Sequence, residues 1–327
     1  MVKAKAGGVL KRNLILSEAV REGHRARMSR QCSFTIVGMR HRLIGPLGIL
    51  LCVWVMVSSA GAQTKPQEAT HKTEAAIPYR SSEGLSAEAA ASVAKYCLLD
   101  LHRSVNSAGF PTVVWLHGGG LTGGGREIPE LLKRRGFAVV SAGYRLSPQS
   151  KSPAYIEDAA AAIAWTVKNI GRYGGDPNRI IVTGHSAGGY LALMCALDKR
   201  YLQAHGVDAD SIAGWAPLSP QTITHFTIRR ERGIEPLQPV VDELAPLFHV
   251  RRDTPPILLV TGDREKELYG RYEETAYFWR MLKLHGHERV DLIELKDLDH
   301  GQMVDPGIGL TMDFVRRRVA ELDAGGK

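Results

Sequence analysis

The chain has 327 residues, enough for one large domain or two small ones, and a formal net charge of +8. Ten of its 42 basic residues and two of its 34 acidic residues lie in residues 1–62, so the remainder holds 32 of each. The body is formally neutral and the surplus positive charge belongs to the leader, so nucleic-acid binding loses its main support and no nucleic-acid partner is expected.

That leader reads as a signal peptide. Residues 40–42 are a basic n-region, residues 43–57 are almost wholly apolar, and Ala60-Gly61-Ala62 fits a cleavage site before Gln63. The apolar run falls short of the roughly 20 residues a spanning helix needs, so no stable membrane insertion is expected after cleavage. A start at Met39 gives ordinary proportions, with Met28 as a second possible start, and residues 1–38 read as an over-extended beginning. The expected destination is the periplasm or the outside of the cell. Cys32 and Cys52 fall in the leader, and Cys97 and Cys195 remain in the mature chain. Two cysteines do not make a disulfide framework, so buried free thiols are expected.

Residues 63–92 are polar and Ala-rich and read as a tether leading into a domain at 93–327. Short apolar runs at 95–101, 111–116, 137–141, 179–183, 211–217, 256–261 and 290–295 read as strands. Between them, 128–135, 155–170, the stretch from 187 to about 199, 272–284 and 309–322 have helical character. Continuous apolar strands alternating with helices indicate an α/β domain: a mostly parallel central sheet with helices on both faces. Residues 219–254 interrupt the alternation and are too long for a simple loop, which suggests a lid-like insertion.

Gly184-His185-Ser186-Ala187-Gly188 lies between a predicted strand and a predicted helix. A sharp turn there strains the serine backbone and crowds its neighbours, and the glycines remove the clash. Ser186 is therefore the candidate nucleophile, with the N–H groups of the helix start behind it. His185 is adjacent, but its side chain should point away from Ser186. His117-Gly118-Gly119-Gly120 follows another strand. Glycines let N–H groups approach a developing oxyanion, so Gly118 and Gly119 are candidate donors together with Ala187, and His117 is expected to brace the loop.

Gly118, Gly120 and Gly123 also match a dinucleotide-binding spacing. That fold needs an acid at the end of the next strand to hold a ribose, and residues 141–145 (SAGYR) have none. The dinucleotide reading is therefore disfavoured, and no His/Cys cluster or H-E-x-x-H motif suggests a metal. His300, in Leu298-Asp299-His300-Gly301 after the last predicted strand, is the candidate general base; His285 and His287 lie at a helix end and are less well placed.

With these residues placed, the chain resembles the α/β-hydrolase superfamily. It is most similar to hormone-sensitive-lipase-like esterases and the bacterial acetylxylan/feruloyl-type carboxylesterases. The resemblance is carried by HGGG at 117–120, YRLSP at 144–148, YGGDPNRI at 173–180, GHSAGG at 184–189, TGDRE at 261–265 and DHG at 299–301. It implies the α/β-hydrolase fold, no cofactor, and acyl-enzyme chemistry on carboxylic esters with Ser186 as nucleophile. The family's acid motif is G-D-x-D, and its second acid position is Glu265 here. Glu265 is thus the expected third member beside Ser186 and His300, with Asp263 and Glu267 at the same strand end as alternatives.

The resemblance favours an exported carboxylesterase acting on a small-molecule or polysaccharide ester, such as acetylated or feruloylated plant polysaccharide. An arylformamidase-like amide hydrolase is the second reading, against which Gly120 argues mildly. A non-catalytic binding relative is the third, and the retained serine and histidine argue against it.

Overall fold

The computed structural model describes residues 70–325, so everything expected of the leader lies outside the described residues. The elements run β1 (His71–Pro78), α1 (Ala87–Tyr96), β2 (Leu98–Ser104), β3 (Phe110–Leu116), β4 (Ala138–Ala142), α2 (Ala154–Asn169), β5 (Gly175–His185) and α3 (Ala187–Leu197). They continue α4 (Arg200–Gln203), β6 (Gly214–Leu218), α5 (Phe226–Glu231), β7 (Ile257–Thr261), α6 (Arg271–Leu284), β8 (Val290–Glu294) and α7 (Val304–Asp323). The eight strands form one sheet in the order β1-β2-β4-β3-β5-β6-β7-β8. β1 and β2 are antiparallel additions at one edge, and every pairing from β4 to β8 is parallel.

Both faces are covered, which is why β4, β6 and β7 are buried at every position. Alternate residues pack into opposite layers, as the two-residue period of a strand requires. Val114 and Leu116 join one core with Ile163 of α2, Leu191 of α3 and Phe278 of α6. Val113 and Trp115 join another with Ile308, Phe314 and Val315 of α7.

Three expectations need correction. Residues 71–78 are an edge strand and not a tether: the pairing of β1 with β2 makes it part of the sheet. Its polar sequence reflects an edge position with most side chains facing water. The strand expected at 95–101 begins at Leu98, because Ala87–Tyr96 is a helix capped by Ser86, whose side chain accepts from the Ala89 N–H. The helix expected at 128–135 is a single 3-10 turn at Glu130–Leu132. Cys97 caps the end of α1 and is not in a strand; it and Cys195 are buried free thiols, and burial pushes both up from the ordinary thiol range.

The segment between β6 and β7 contains α5 and a turn at Pro246–His249. It is tied to the body: Ser147 Oγ donates to Glu231 Oε1 at 2.8 Å, and Tyr190 OH to the Leu244 carbonyl at 2.7 Å. Among the described residues no helix is long and apolar enough to cross a membrane.

Candidate active site

The parallel strands deliver the site at their carboxyl ends. β5 runs directly into α3, and the turn residue Ser186 has φ 55° and ψ −114°, a conformation L-residues rarely adopt. The turn closes only because its neighbours lack side chains. A Cβ on Gly188 would lie 1.9 Å from the Leu116 carbonyl oxygen, and one on Gly184 2.5 Å from the same oxygen. The Ser186 N–H donates to the Leu218 carbonyl at 2.8 Å, which anchors the turn to β6.

His300 comes from the loop after β8, with Nε2 2.9 Å from Ser186 Oγ. On its other side Nδ1 is 2.8 Å from Glu267 Oε2. An ionised carboxylate can only accept, so Nδ1 carries the proton and Nε2 is left to accept from the serine hydroxyl. The side chain of Glu267 is 1% exposed. Burial pushes its carboxyl up, but the hydrogen bond and charge of His300, the Gly262 N–H and the Ser219 hydroxyl outweigh this and hold it at about 2. Ser219 Oγ also lies 3.0 Å from His300 Nδ1.

The acid beside His300 is therefore Glu267, and the expectation of Glu265 is corrected. The cause is a turn of helical pitch after β7. The Asp263 carbonyl accepts from the N–H groups of both Lys266 and Glu267 at 2.9 Å. This brings position 267 back over the strand end, where Glu267 Oε1 accepts from the Gly262 N–H at 2.9 Å. Position 265 faces outward and is exposed. Asp263 braces the turn, its carboxylate accepting from the N–H groups of Glu265 at 2.9 Å and Asp297 at 2.8 Å.

His185 points away from Ser186. Its Nε2 donates to the His300 carbonyl at 2.9 Å, and its ring lies 4.6 Å from the His300 ring. Burial, then the neighbouring His300, lowers its imidazole to about 4, so it stays neutral and serves as a brace for the His300 loop.

The glycine loop sits against the elbow: a Cβ on Gly118 would be 3.6 Å from Ser186 Cβ. Gly119 has φ 100°, and a Cβ there would meet the Gly123 carbonyl at 2.3 Å. Its own carbonyl accepts from the N–H groups of Thr122 and Gly123, both at 3.0 Å, which folds the loop back on itself. His117 braces this shape. Its Nδ1 donates to the Gly118 carbonyl at 2.7 Å, its ring stacks on Tyr144 at 4.1 Å, and Tyr144 OH donates to the His117 carbonyl at 2.7 Å. Ala187 is the first residue of α3, where N–H groups have no partner within the helix. The structure thus sets Gly118 against Ser186, with Gly119 next along the same loop and Ala187 directly after the serine.

A supporting layer was missed in the sequence. Arg271 is 0% exposed, and its Nη1 donates to the Ser219 carbonyl at 2.6 Å. Its Nε is 3.1 Å from Glu274 Oε1, one turn along α6. The one sequence signal was an arginine at the first position of a helix, where the helix dipole disfavours a cation. Among the described residues no group of three or more His, Cys, Asp or Glu side chains is placed to hold a metal.

A family model described as BD-FAE matches residues 99–212. Esterase LipC of Mycobacterium tuberculosis is 28% identical over 214 residues, covering 58% of this chain and 53% of that protein. Carboxylesterase NlhH of the same species is 42% identical over 91 residues, covering 26% of this chain and 28% of that protein. The chain thus spans about half the length, or less, of these relatives. Among solved structures, a truncated carbohydrate esterase from gut microbiota superposes with a TM-score of 0.61 at 17% identity, covering 77% of this chain and 98% of that one. A bacterial heroin esterase gives 0.58 at 22% identity, covering 79% and 86%. These likenesses bear out the resemblance read from the motifs.

Proposed function

We propose, for a chain that has the α/β-hydrolase fold and is similar to carboxylesterases, that it hydrolyses carboxylic esters through an acyl-enzyme on Ser186. The observation that carries this is the 2.9 Å contact between Ser186 Oγ and His300 Nε2, at a serine held with φ 55°. His300 Nε2 takes the hydroxyl proton as Ser186 Oγ attacks the ester carbonyl. Glu267 keeps the imidazole in the tautomer that can accept and offsets the positive charge it gains. The N–H groups of Gly118, Gly119 and Ala187 receive the oxyanion of the tetrahedral intermediate. Collapse of that intermediate expels the alcohol, which takes its proton from His300 Nε2. Water then attacks the acyl-serine, with His300 again as base, and releases the acid.

The finer reading is an exported enzyme acting on acetyl or feruloyl esters of plant polysaccharide. The leader motif at 40–62 supports export. The fold shared with the gut carbohydrate esterase is consistent with a sugar-ester substrate. The test is turnover of p-nitrophenyl acetate and butyrate by the purified protein, with Ser186→Ala abolishing it. Absence of turnover on every short-chain ester, together with no labelling by a serine-directed fluorophosphonate, would sink the proposal.

A further inference from the structure

The rim of the site carries an aromatic surface that takes no part in the proton transfers. Four rings run in sequence from behind the elbow to solvent. Tyr190, on α3, lies 5.2 Å from His225, His225 lies 4.3 Å from Phe226, and Phe226 meets Tyr269 edge-on at 6.0 Å and 67°. The inner residues are tied to the body. Phe226 N–H donates to the buried Gln221 Oε1 at 3.0 Å, and Tyr190 OH is held by the Leu244 carbonyl. The outer ring is different: Tyr269 is 60% exposed. Its backbone has φ 51°, in the left-handed region that a bulky residue adopts only at a cost, and Gly270 follows with φ 70°. The left-handed pair Tyr269-Gly270 turns the chain into α6, and it leaves the Tyr269 ring standing out in water.

Two contacts place this surface at the mouth of the site. Phe226 covers Gly120, where a Cβ would lie 3.1 Å from the ring Cζ, and Thr227 Oγ1 donates to the Gly120 carbonyl at 2.5 Å. Gly120 directly follows the Gly118–Gly119 donors. At the other end, Tyr269 stands two residues beyond Glu267, which holds His300. The Phe226–Tyr269 pair therefore joins the glycine loop on one side of Ser186 to the acid-bearing turn on the other. The Arg230 guanidinium lies 5.9 Å from the Phe226 ring centre and adds a planar cationic group to the same rim.

We propose that Phe226 and Tyr269 form a ring-stacking subsite at the mouth of the ester site, and that the substrate carries a ring with an apolar face, aromatic or pyranose, next to its ester bond. The inference rests on the esterase reading and deepens it. A ring face laid on Tyr269 covers an aromatic surface otherwise left in water, and the aromatic quadrupole favours an offset stack. A short acyclic ester reaches Ser186 without using this surface. Tyr269 makes its contact in the ground state and the transition state alike, so its loss raises KM and leaves kcat nearly unchanged.

The experiment compares wild type, Tyr269→Ala and Tyr269→Phe on three esters: ethyl acetate, methyl ferulate and acetylated xylo-oligosaccharide. The expected result for Tyr269→Ala is a fall in kcat/KM of about tenfold on a ring-bearing ester, carried by KM, with ethyl acetate unchanged within about twofold. Tyr269→Phe keeps the ring face and stays within about twofold of wild type on all three. A loss confined to methyl ferulate puts the ring on the acyl side, and one confined to the oligosaccharide puts it on the alcohol side; both support the subsite. Equal effects on all three esters, or none on any, overturn it while leaving the esterase reading intact. Turnover of ethyl acetate by the wild type without turnover of either ring-bearing ester overturns the subsite alone, and failure on all three esters with no labelling by a serine-directed fluorophosphonate overturns the esterase reading and the subsite with it.

Discussion

Replacing Glu267 by Gln tests the reading of the site most directly. The substitution keeps the size and shape of the side chain and removes its charge. The carboxylate oxygen lies 2.8 Å from His300 Nδ1, and the side chain is 1% exposed, so water screens the pair weakly. At an effective dielectric of about 20, unit charges about 4 Å apart interact by about 4 kcal/mol. That energy is absent while His300 is neutral and present once it takes the Ser186 proton, so its loss falls on the transition state. About 4 kcal/mol corresponds to roughly a thousandfold in kcat. Glutamine adds a second fault, because its NH2 can turn toward Nδ1 and favour the tautomer that cannot accept from serine. The assay is kcat on p-nitrophenyl acetate, with Glu265→Gln as the control. Glu265 is exposed, so its variant should stay within about twofold of wild type. A Glu267→Gln enzyme within about tenfold of wild type, or a Glu265→Gln enzyme damaged equally, would refute the reasoning.

The same carboxylate gives a stability signature. Held at about 2 against an ordinary 4.5, Glu267 contributes stability that is fully present above pH 4.5 and lost as pH falls toward 2. The loss should be on the order of 3 kcal/mol, and acid denaturation curves of Glu267→Gln should be flatter across that window. Arg271→Met should cost about 3–5 kcal/mol in denaturant unfolding because it leaves Glu274 buried and unpaired, and Arg271→Met/Glu274→Met should recover much of this. Gly188→Ala should lower stability by at least about 3 kcal/mol, read as a fall in Tm, since its Cβ would overlap the Leu116 carbonyl.

What could be read from the sequence is what local sterics and periodicity impose. Buried strands with continuous apolar runs identify a parallel sheet wherever both faces are covered, and β4, β6 and β7 meet that condition. Ser186 was legible because only glycines fit on either side of a strained turn, and that requirement is written within five residues. The edge strand β1 was not legible, since an edge half in water carries polar residues that a tether would also carry.

The identity of the acid was decided by tertiary structure alone. Asp263, Glu265 and Glu267 are all carboxylates at one strand end, and the motif spacing that favoured Glu265 pointed to the wrong one. Two hydrogen bonds to the Asp263 carbonyl wind the chain through a turn, and Asp297 from the loop after β8 holds the Asp263 carboxylate in place. That winding turns Glu265 out to water and brings Glu267 under His300. Arg271 was hidden for the same reason: its burial depends on Ser219, 52 residues earlier, presenting a carbonyl to it. The residue types of the site are set locally, but the direction each side chain faces depends on contacts between segments far apart in the chain.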